Sequence, residues 1–477
     1  MTLSMIRFTA TRLALFLSAF LTFSSAAMAQ GVSPLVIKAM FGRTVQATQP
    51  AGTGPVAWSS SNPAVAEVDA KGQVTLIRRG TVKITGLRGA ISRTTSVTVT
   101  GFSKLARTVD SRACAVDDDK TEIYCWGTNL WTLPFGGVGQ VSAVPAPRRI
   151  SRGDIPASAR IEDVSLGTFA ACVLTDAGAV HCFGSAGPTT PLGRGPVSAP
   201  AQTVLAPVQV KLDGGPASAI AVGPASACAA LSAAVVQCWG SAQQIPQVGP
   251  QRNARFIAVP MAAALGPAAG GAVSALDVST NGGCLLAAGQ GYCWSGADLP
   301  VRVEPGDGAG AALMAIRSDD FHCALDQKGQ TYCAGAAFGA RFGRGQADFT
   351  QTKAWLAVDQ SQSGPFRKIT LGGISNVACG ISQSGEAWCW GKSHMGSAGD
   401  GTMGDHAVLR PTKTLRGARP AGVAYTDISC GQYHCLGLGD DGRIYGWGSN
   451  EGKVLGPDPT GRSPGGAQPV LLSPPVS

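Results

Sequence analysis

Paired cysteines are the residues of this chain whose type and spacing point most directly to chemistry. Twelve of its 14 cysteines fall into six pairs whose members are nine to eleven residues apart: Cys114 and Cys125, Cys172 and Cys182, Cys228 and Cys238, Cys284 and Cys293, Cys323 and Cys333, and Cys379 and Cys389. Cysteines at such short spacing either hold zinc as thiolates or pair with each other as a disulfide. The sequence around the pairs decides between these chemistries.

The segment between paired cysteines has the pattern of a β-hairpin. In CVLTDAGAVHCFG, which starts at Cys172, apolar and polar residues alternate on both sides of a turn. Placing Cys172 opposite Cys182 leaves a three-residue loop that ends at Gly178, and glycine readily takes the positive φ that such loops require. Directly opposed Cβ atoms are close enough for a disulfide. We therefore predict one bridge in each of the six hairpins, each stabilising the fold by about 2 to 3 kcal/mol.

The two remaining cysteines, Cys430 and Cys435, are five residues apart. A local bridge between them would pair all 14 cysteines. The even count, the hairpin spacing and the export signal described below favour disulfides over zinc. No metal site is predicted at the cysteines.

Histidines offer the other candidate chemistry. Three of the five directly adjoin repeat cysteines, which places them in hairpin strands and not in a common pocket; the five are His181, His322, His394, His406 and His434. His394 and His406 flank a glycine-rich loop with Asp400 and Asp405, a set that could bind a metal, but Asp400 belongs to a repeated tail and favours a structural role. No nucleophile elbow, H-E-x-x-H helix or phosphate-binding loop is present. We predict a non-enzyme without catalytic residues, cofactor or metal.

The amino terminus predicts export. Arg7 and Arg12 precede the apolar run LALFLSAFLTF and a small-residue site, Ala27-Met28-Ala29, so residues 1–29 are predicted to be a signal peptide. No later stretch reaches the roughly 18 uninterrupted apolar residues that a membrane helix needs. The expected location is the periplasm or the extracellular space, where disulfides persist.

The hairpin recurs along the chain and defines a repeat. Successive first cysteines are 58, 56, 56, 39 and 56 residues apart, and a seventh copy begins 56 residues further on at Cys435, with Gly446 in place of the second cysteine. One short strand follows each hairpin, the last being PVLL from Pro469. Because no such strand precedes the first hairpin, we predict that the carboxy-terminal strand completes the first blade and closes a ring. The predicted fold class is all-β, with a seven-bladed β-propeller over residues 102–477.

These repeats resemble the regulator of chromosome condensation family, whose members are seven-bladed propellers. The motifs that carry the resemblance are the Asp-x-Gly turn, Trp-Gly pairs such as Trp126-Gly127 and Trp447-Gly448, and a Gly-Asp-Gly-Thr tail from Gly399. The fourth and fifth copies depart from the pattern, with Trp294-Ser295-Gly296 in one and Ala334 in the tryptophan slot of the other. The interval of 39 residues between Cys284 and Cys323 also shortens the connection between these copies. Blades 4 and 5 are therefore expected to be the least regular.

Residues 30–101 form a separate module. Short alternating strands separated by turns indicate a small β-sandwich, and the run from Trp58 to Thr85 resembles the bacterial immunoglobulin-like group 2 domain. Residues 31–101 carry a net charge of +6, whereas residues 102–477 carry 28 basic and 27 acidic residues. A near-neutral propeller argues against nucleic acid as a partner. Any attraction to an anionic surface is expected in this module, at Arg78, Arg79, Lys83 and Arg88.

The resemblance implies a binding scaffold. Exported relatives of this kind include propellers that inhibit β-lactamases by covering the enzyme with one face, so the expected partner is a protein or an envelope component, bound by a monomer. Loop aromatics usually anchor such contacts, and Trp131, Phe135 and Trp355 fall outside the repeat core. The alternative function is a cell-envelope or glycan-binding adhesin led by the basic amino-terminal module.

Overall fold

The computed structural model describes most of the chain outside its first 34 residues. The described residues are 35–108, 110–128, 143–186, 192–193, 202–231, 235–246, 256–269, 271–304, 312–318, 321–335, 340–347, 352–372, 376–457 and 466–475. The predicted signal peptide, residues 1–29, lies outside them. Strands dominate these residues, with short 3-10 helices at Ala242–Gln244, Gly266–Ala268 and Glu451–Lys453. No helix among them combines the length and apolar character required to cross a bilayer.

The first seven strands form a β-sandwich. They are β1 (Leu35–Met40), β2 (Thr44–Gln46), β3 (Ala57–Ser60), β4 (Ala66–Val68), β5 (Gln73–Leu76), β6 (Gly80–Arg88) and β7 (Ile91–Thr100). One sheet has the order β1-β7-β6-β3, with β1 parallel to β7, and the other has the order β2-β5-β4. Val74 and Leu76 of one sheet face Val82, Ile84 and Val97 of the other, and exposed or half-buried residues alternate with them.

Seven four-stranded antiparallel sheets follow. Blade 1 contains β8 (Phe102–Leu105), β9 (Arg112–Asp117), β10 (Ile123–Thr128) and β11 (Ala143–Arg149). Blade 2 contains β12 (Ile161–Leu166), β13 (Ala170–Thr175), β14 (Val180–Ala186) and β15 (Gln202–Gln209). Blade 3 contains β16 (Ala217–Val222), β17 (Ser226–Leu231), β18 (Val236–Ser241) and β19 (Phe256–Ala262).

The remaining four blades repeat this order. Blade 4 contains β20 (Val273–Ser279), β21 (Gly282–Ala287), β22 (Gln290–Ser295) and β23 (Val301–Arg302). Blade 5 contains β24 (Leu313–Ser318), β25 (Phe321–Asp326), β26 (Thr331–Gly335) and β27 (Thr352–Ala357). Blade 6 contains β28 (Phe366–Leu371), β29 (Val377–Ser382), β30 (Ala387–Ser393) and β31 (His406–Lys413). Blade 7 contains β32 (Tyr425–Cys430), β33 (His434–Gly439), β34 (Ile444–Gly448) and β35 (Gly466–Leu471).

The predicted hairpins are the two middle strands of each blade. In blade 2, Cys172 pairs with Cys182 across β13 and β14, and Gly178 has a φ of 74° in the connecting turn. The glycine of the Trp-Gly motif has its own structural cause. Gly127 takes a φ of 99° at a register shift between β10 and β11, and a Cβ there would lie 2.4 Å from the Ser111 carbonyl oxygen. Only glycine fits this bulge.

The innermost strand of each blade was not recognised in the sequence. The seven inner strands are β8, β12, β16, β20, β24, β28 and β32, and from β12 through β32 and on to β8 those of neighbouring blades contact each other around the central axis. They carry neither the hairpin cysteine pairs nor the Trp-Gly motif, although Cys430 at the end of β32 is bridged to Cys435. The seven short strands that do follow the hairpins are the outermost strands of the blades.

The predicted closure of the ring is wrong in its details. The carboxy-terminal strand β35 pairs with β34 and completes blade 7, whereas blade 1 obtains its fourth strand from β8, directly after the sandwich. The hairpin of blade 7 is also displaced by one residue from the prediction, because Leu436 and not Cys435 lies opposite Gly446. All strands of each described blade are therefore consecutive in sequence.

The ring closes through side chains and through the sandwich. The backbone N–H of Leu105 in blade 1 donates to Asp427 Oδ2 of blade 7 at 3.0 Å. Arg79 of the sandwich reaches both blades, since its side chain pairs with Asp118 of blade 1 and donates to the Asp440 carbonyl of blade 7 at 3.1 Å. Phe41 packs edge-on against Phe102 with ring centroids 5.8 Å apart. The sandwich thus lies across the contact between the first and last blades.

Candidate functional site

A pair of opposed residues, one small and one large, fills the core where neighbouring blades meet. Directly opposite each large aromatic residue on the third strand stands a small residue on the second strand; the pairs are Ala113 and Trp126, Ala171 and Phe183, Ala227 and Trp239, Gly283 and Trp294, Ala378 and Trp390, and Cys435 and Trp447. In blade 4, a Cβ on Gly283 would lie 2.4 Å from the Trp294 ring. The small residue therefore makes room for the large one.

Four of the tryptophans also connect their blade to the preceding one. Trp126 Nε1 donates to the carbonyl oxygen of Val454 at 2.8 Å, and Trp294 Nε1 donates to that of Gln244 at 3.0 Å. Trp390 and Trp447 make the same contact with the tails of blades 5 and 6, at 3.2 and 3.0 Å. A buried ring and a satisfied N–H together seal the outer part of the contact between two blades.

Blade 5 reverses the sizes of this pair. His322 lies opposite Ala334, so the histidine occupies the position of the small residue and the alanine occupies the tryptophan slot. Trp355, from the outer strand β27, stacks on the His322 ring at 6.4 Å between centroids. Ala334 cannot reach back to blade 4. The contact between blades 4 and 5 therefore lacks the buried aromatic residue that fills the other contacts between described blades.

An open groove of about 770 Å³ occupies this position. We call it the 4–5 groove. The outer strand of blade 4, β23, has only two residues and pairs with Tyr292 and Cys293, so it covers little of the blade. The shortened 39-residue interval in the sequence falls at this connection. The groove is lined in part by Trp294, Leu299, Val301, Arg302, His322, Lys353 and Trp355.

Apolar and cationic side chains lie together along the groove. Val301 is 69% exposed and Leu299 is 39% exposed. Arg302 donates to Gln290 Oε1 at 2.7 Å and lies 4.0 Å from Glu304, while exposed Lys353 makes no ion pair with any residue that the structure describes. Apolar surface beside an available cation is the arrangement that recognises an acidic, partly apolar segment of another molecule.

The centre of the ring is occupied by charged side chains. A much smaller cavity of about 150 Å³ lies between the inner strands. Lys104 pairs with Asp163 at 2.7 Å, Lys368 pairs with Asp427, and Arg107 crosses from blade 1 to Asp277 of blade 4. Because these charges satisfy one another, the centre is less suited than the 4–5 groove to a ligand.

The six predicted hairpin disulfides are present in the structure, and a seventh joins the two cysteines whose pairing the sequence leaves open. Six lie within hairpins, with Cα atoms 4.0 to 4.2 Å apart, and the seventh joins Cys430 to Cys435 across β32 and β33. No cysteine is free.

Of the three aromatic residues predicted to contact a partner, the structure describes only one. Trp131 and Phe135 lie outside the described residues. Trp355 was expected outside the repeat core, and that placement is wrong: its side chain is 6% exposed and packs among buried residues of blades 4 and 5. It does line the 4–5 groove, so its contact with a partner stays a prediction.

The four basic residues of the sandwich do not act as one patch. Arg79 is held by Asp118 at the contact with the propeller. Arg88 donates to the carbonyl oxygens of Pro50 and Gly52 and stabilises that loop. Nine residues of extended chain separate the two, about 30 Å. Arg78 is partly exposed and Lys83 is exposed. For these two residues, contact with an anionic surface stays a prediction.

The two histidines of blade 6 contact two different aspartates. His394 Nδ1 lies 2.8 Å from Asp405, and His406 Nε2 lies 2.8 Å from Asp400. Burial lowers the pKa of His406, but the Gly404 carbonyl and the Asp400 carboxylate outweigh it, so the net pKa is raised. These pairs fix a loop, and they do not converge on one metal-sized point.

Among the groove residues, the sequence alone singles out Trp355 as a candidate partner contact, but it does not indicate the groove. His322 and Ala334 were each noted, but not as an opposed pair. Cross-strand numbering from the bridge between Cys323 and Cys333 places them directly opposite each other. That pairing, together with the short interval after Cys284, was the available signal.

Comparisons with known proteins match both parts of the chain. Residues 41–90 match the intimin immunoglobulin-like domain, and residues 425–452 match the regulator of chromosome condensation repeat. The chain is 30% identical over 147 residues to the ultraviolet-B receptor UVR8 of Arabidopsis thaliana, covering 30% of this chain and 31% of the receptor. It is 26% identical over 203 residues to the E3 ubiquitin-protein ligase HERC2 of Mus musculus, covering 38% of this chain and 4% of the ligase. The matches therefore span a third or less of these relatives.

Solved structures show the same architecture. Prp20p of Saccharomyces cerevisiae aligns with a TM-score of 0.60 at 16% identity, covering 78% of this chain and 87% of that one. Human WBSCR16 aligns with a TM-score of 0.59 at 16% identity, covering 81% of this chain and all of that one. At such identity the likeness concerns the fold.

Fold and repeats define a β-propeller that follows an immunoglobulin-like sandwich. The propeller is of the regulator of chromosome condensation type, and both this assignment and the immunoglobulin-like assignment are confirmed.

Proposed function

We propose that the protein is exported and works as a non-enzymatic binding protein, whose propeller holds a protein partner at the 4–5 groove. The observation that carries the proposal is the open groove itself, where Val301 and Leu299 are exposed beside Arg302 and Lys353. At the other contacts between described blades, a buried aromatic residue fills the equivalent space.

Two further observations support the proposal. Similar propellers bind proteins, since the yeast structures are described with Gsp1p and histones, and with Kap60. Seven disulfides in a chain with an amino-terminal signal pattern are typical of an oxidising, exported environment.

A matched pair of variants tests the site in the whole chain. Val301→Glu places a carboxylate in the groove, and Val36→Glu places one on the sandwich at nearly the same exposure, 66% against 69%. Immobilised protein is incubated with envelope and culture fractions of the producing cells, and the retained protein is quantified. We expect Val301→Glu to reduce retention at least about tenfold, because the new carboxylate replaces an apolar contact and neutralises the neighbouring cations that would attract an acidic partner. Equal retention by both variants contradicts the proposal.

The adhesin alternative is tested with the same immobilised protein by quantifying retained polysaccharide at low and high salt. It requires salt-sensitive retention of polysaccharide by the sandwich, and Lys83→Glu would weaken it while Val301→Glu would not. Arg79 and Arg88 are engaged in internal contacts, which leaves this surface fewer cations than the sequence indicates.

A further inference from the structure

One of the seven disulfides differs from the others in its access to solvent. Thirteen of the 14 cysteine side chains are at most 1% exposed. Cys293 is the exception: it is partly exposed and lines the 4–5 groove. Its partner Cys284 is fully buried. Among the seven bridges, this one alone therefore includes a residue that is partly exposed to solvent in the folded protein.

The access has two structural causes. In blade 2 the outer strand β15 has eight residues, and Cys182 beneath it is buried. In blade 4 the outer strand β23 has two residues, so it leaves Cys293 at the edge of the groove. The missing tryptophan at Ala334 keeps the adjoining side of blade 5 open as well.

A histidine lies beside this bridge. A ring nitrogen of His322 and the sulfur atoms of Cys284 and Cys293 all lie within 4.8 Å of one another. The ring is held in place, because Nδ1 is 3.0 Å from Ser318 Oγ and one face stacks on Trp355. An adjacent imidazolium stabilises a thiolate and lowers its pKa. In five of the other six blades an alanine or glycine occupies the His322 position, and in blade 7 a cysteine does.

The groove also offers positive charge to an incoming thiol. Arg302 and Lys353 both line it. Thiolates, and small thiols that carry carboxylates, are anionic and are attracted by such side chains. Access, a neighbouring imidazole and local cations are the features that make a disulfide exchange readily.

We propose that the bridge between Cys284 and Cys293 is a thiol–disulfide exchange site for a small anionic thiol. The thiolate attacks Cys293 Sγ and forms a new sulfur–sulfur bond there. The bond between Cys293 and Cys284 breaks, and its electron pair leaves with Cys284 as a thiolate, which His322 stabilises and a proton from the imidazolium or solvent neutralises. The incoming thiol is oxidised and Cys284 is reduced, so no further reactant is needed.

A second cluster of sulfur atoms is as closely spaced as the first but is not exposed to solvent. Cys379 Sγ lies 3.8 Å from Cys435 Sγ and 3.7 Å from Cys430 Sγ, so two bridges touch between blades 6 and 7. All three cysteines are buried. We expect these bridges to stay closed toward small thiols while the protein is folded, and they serve as an internal comparison.

The test measures which bridge opens first in the folded, full-length protein. The protein is incubated with millimolar reduced glutathione, quenched with acid, alkylated under denaturing conditions and mapped by mass spectrometry. We expect glutathione on Cys293 and an alkyl group on Cys284, formed at least roughly tenfold faster than opening of the bridge between Cys172 and Cys182. Equal rates for all bridges, or first opening elsewhere, overturns the proposal.

Two variants separate the role of the histidine from that of the opening. His322→Gln leaves the groove open, and we expect exchange to slow several-fold and its pH profile to lose the histidine inflection. The double variant His322→Ala with Ala334→Trp recreates the Ala–Trp pair of the other blades and should reduce the rate to that of the bridge between Cys172 and Cys182. If the double variant fails to fold, His322→Gln still decides, because an unchanged rate and pH profile removes the histidine from the proposal.

Discussion

Two contacts between blades, 7 with 1 and 4 with 5, share their inner half and differ in their outer half. On the inner side, an aspartate of one blade accepts a backbone N–H from the next: Asp427 from Leu105 at 3.0 Å, and Asp277 from Ser318 at 2.8 Å. On the outer side, Trp126 fills the first contact, whereas Ala334 leaves the second open. The inner ring is thus held independently of what fills the periphery.

The difference shows where this propeller tolerates change. The contact between blades 7 and 1 must join the two ends of the propeller, and it has a buried tryptophan, a carboxylate and the sandwich across it. Blades 4 and 5 are consecutive in sequence and stay joined by the backbone, so the ring can close without side chains filling the outer part of their contact. Exposed apolar residues and an accessible disulfide occur at a contact that does not have to close the ring.

The largest expected effect compares the tryptophans of the two contacts. Trp126→Ala removes a fully buried ring and leaves the Val454 carbonyl without its donor. We expect it to lower the free energy of unfolding by about 4 kcal/mol. Trp355→Ala removes a ring that already borders an open groove, and about 2 kcal/mol is expected because no closed cavity results.

Guanidinium titration with the disulfides intact measures both values. The two free energies are compared with each other. Because both variants lose the same side chain, the difference between them reports the packing around each ring. If Trp355→Ala costs as much as Trp126→Ala, the outer contacts are energetically equivalent and the distinction between them fails.

The next effect concerns a histidine in the closed region. His434 of blade 7 is fully buried, its Nε2 has no hydrogen-bond partner among the described residues, and burial lowers its pKa to about 4. The unfolded chain takes up this proton near pH 6.5. The stability is therefore complete above about pH 6.5 and falls as the pH is lowered toward 4, by up to about 3 kcal/mol.

His434→Gln should flatten this part of the stability curve. The measurement is the free energy of unfolding of both proteins at intervals between pH 7 and 4. His406→Gln is the matched control, since the pKa of His406 is raised and its contribution is instead lost as the pH rises. Parallel curves for the wild type and His434→Gln would show that His434 does not titrate as its burial requires.

Short-range patterns predicted most of the fold. Cysteine pairing, turn glycines and the Trp-Gly motif act within one hairpin, so the hairpins and bridges could be predicted directly. The inner strands carry no such mark. Leu105 and Phe102 of β8 become recognisable only through burial against blade 7 and the sandwich. This is why the closure of the ring was assigned to the wrong blade.

The groove depends on a relation between blades that no single repeat contains. Ala334 shows that a tryptophan is missing, but not whether another residue fills the space. Trp355 fills part of it, from a strand about 20 positions away in the chain. The exposure of Val301 depends on the length of β23 and on the surface of blade 5. Such properties arise from packing between blades, which a sequence pattern does not encode.

The smallest of the three effects tests the sandwich as part of the closure. Arg79→Ala removes the ion pair with Asp118 of blade 1 and the side-chain hydrogen bond to the Asp440 carbonyl of blade 7, and it leaves the backbone hydrogen bond from residue 79 to the Asp441 carbonyl in place. Both charged side chains are partly exposed to solvent, which limits the expected loss to about 2 kcal/mol. Lys83→Ala removes an equal charge from the same sandwich, from a side chain without a described contact, and it should change the free energy of unfolding by less than about 0.5 kcal/mol.

Because the loss in Arg79→Ala should act where the ring closes, amide hydrogen exchange in β8 and β33 should accelerate in this variant while exchange in β21 and β24 stays unchanged. A uniform acceleration in all blades would mean that the sandwich stabilises the propeller as a whole and does not act at its closure.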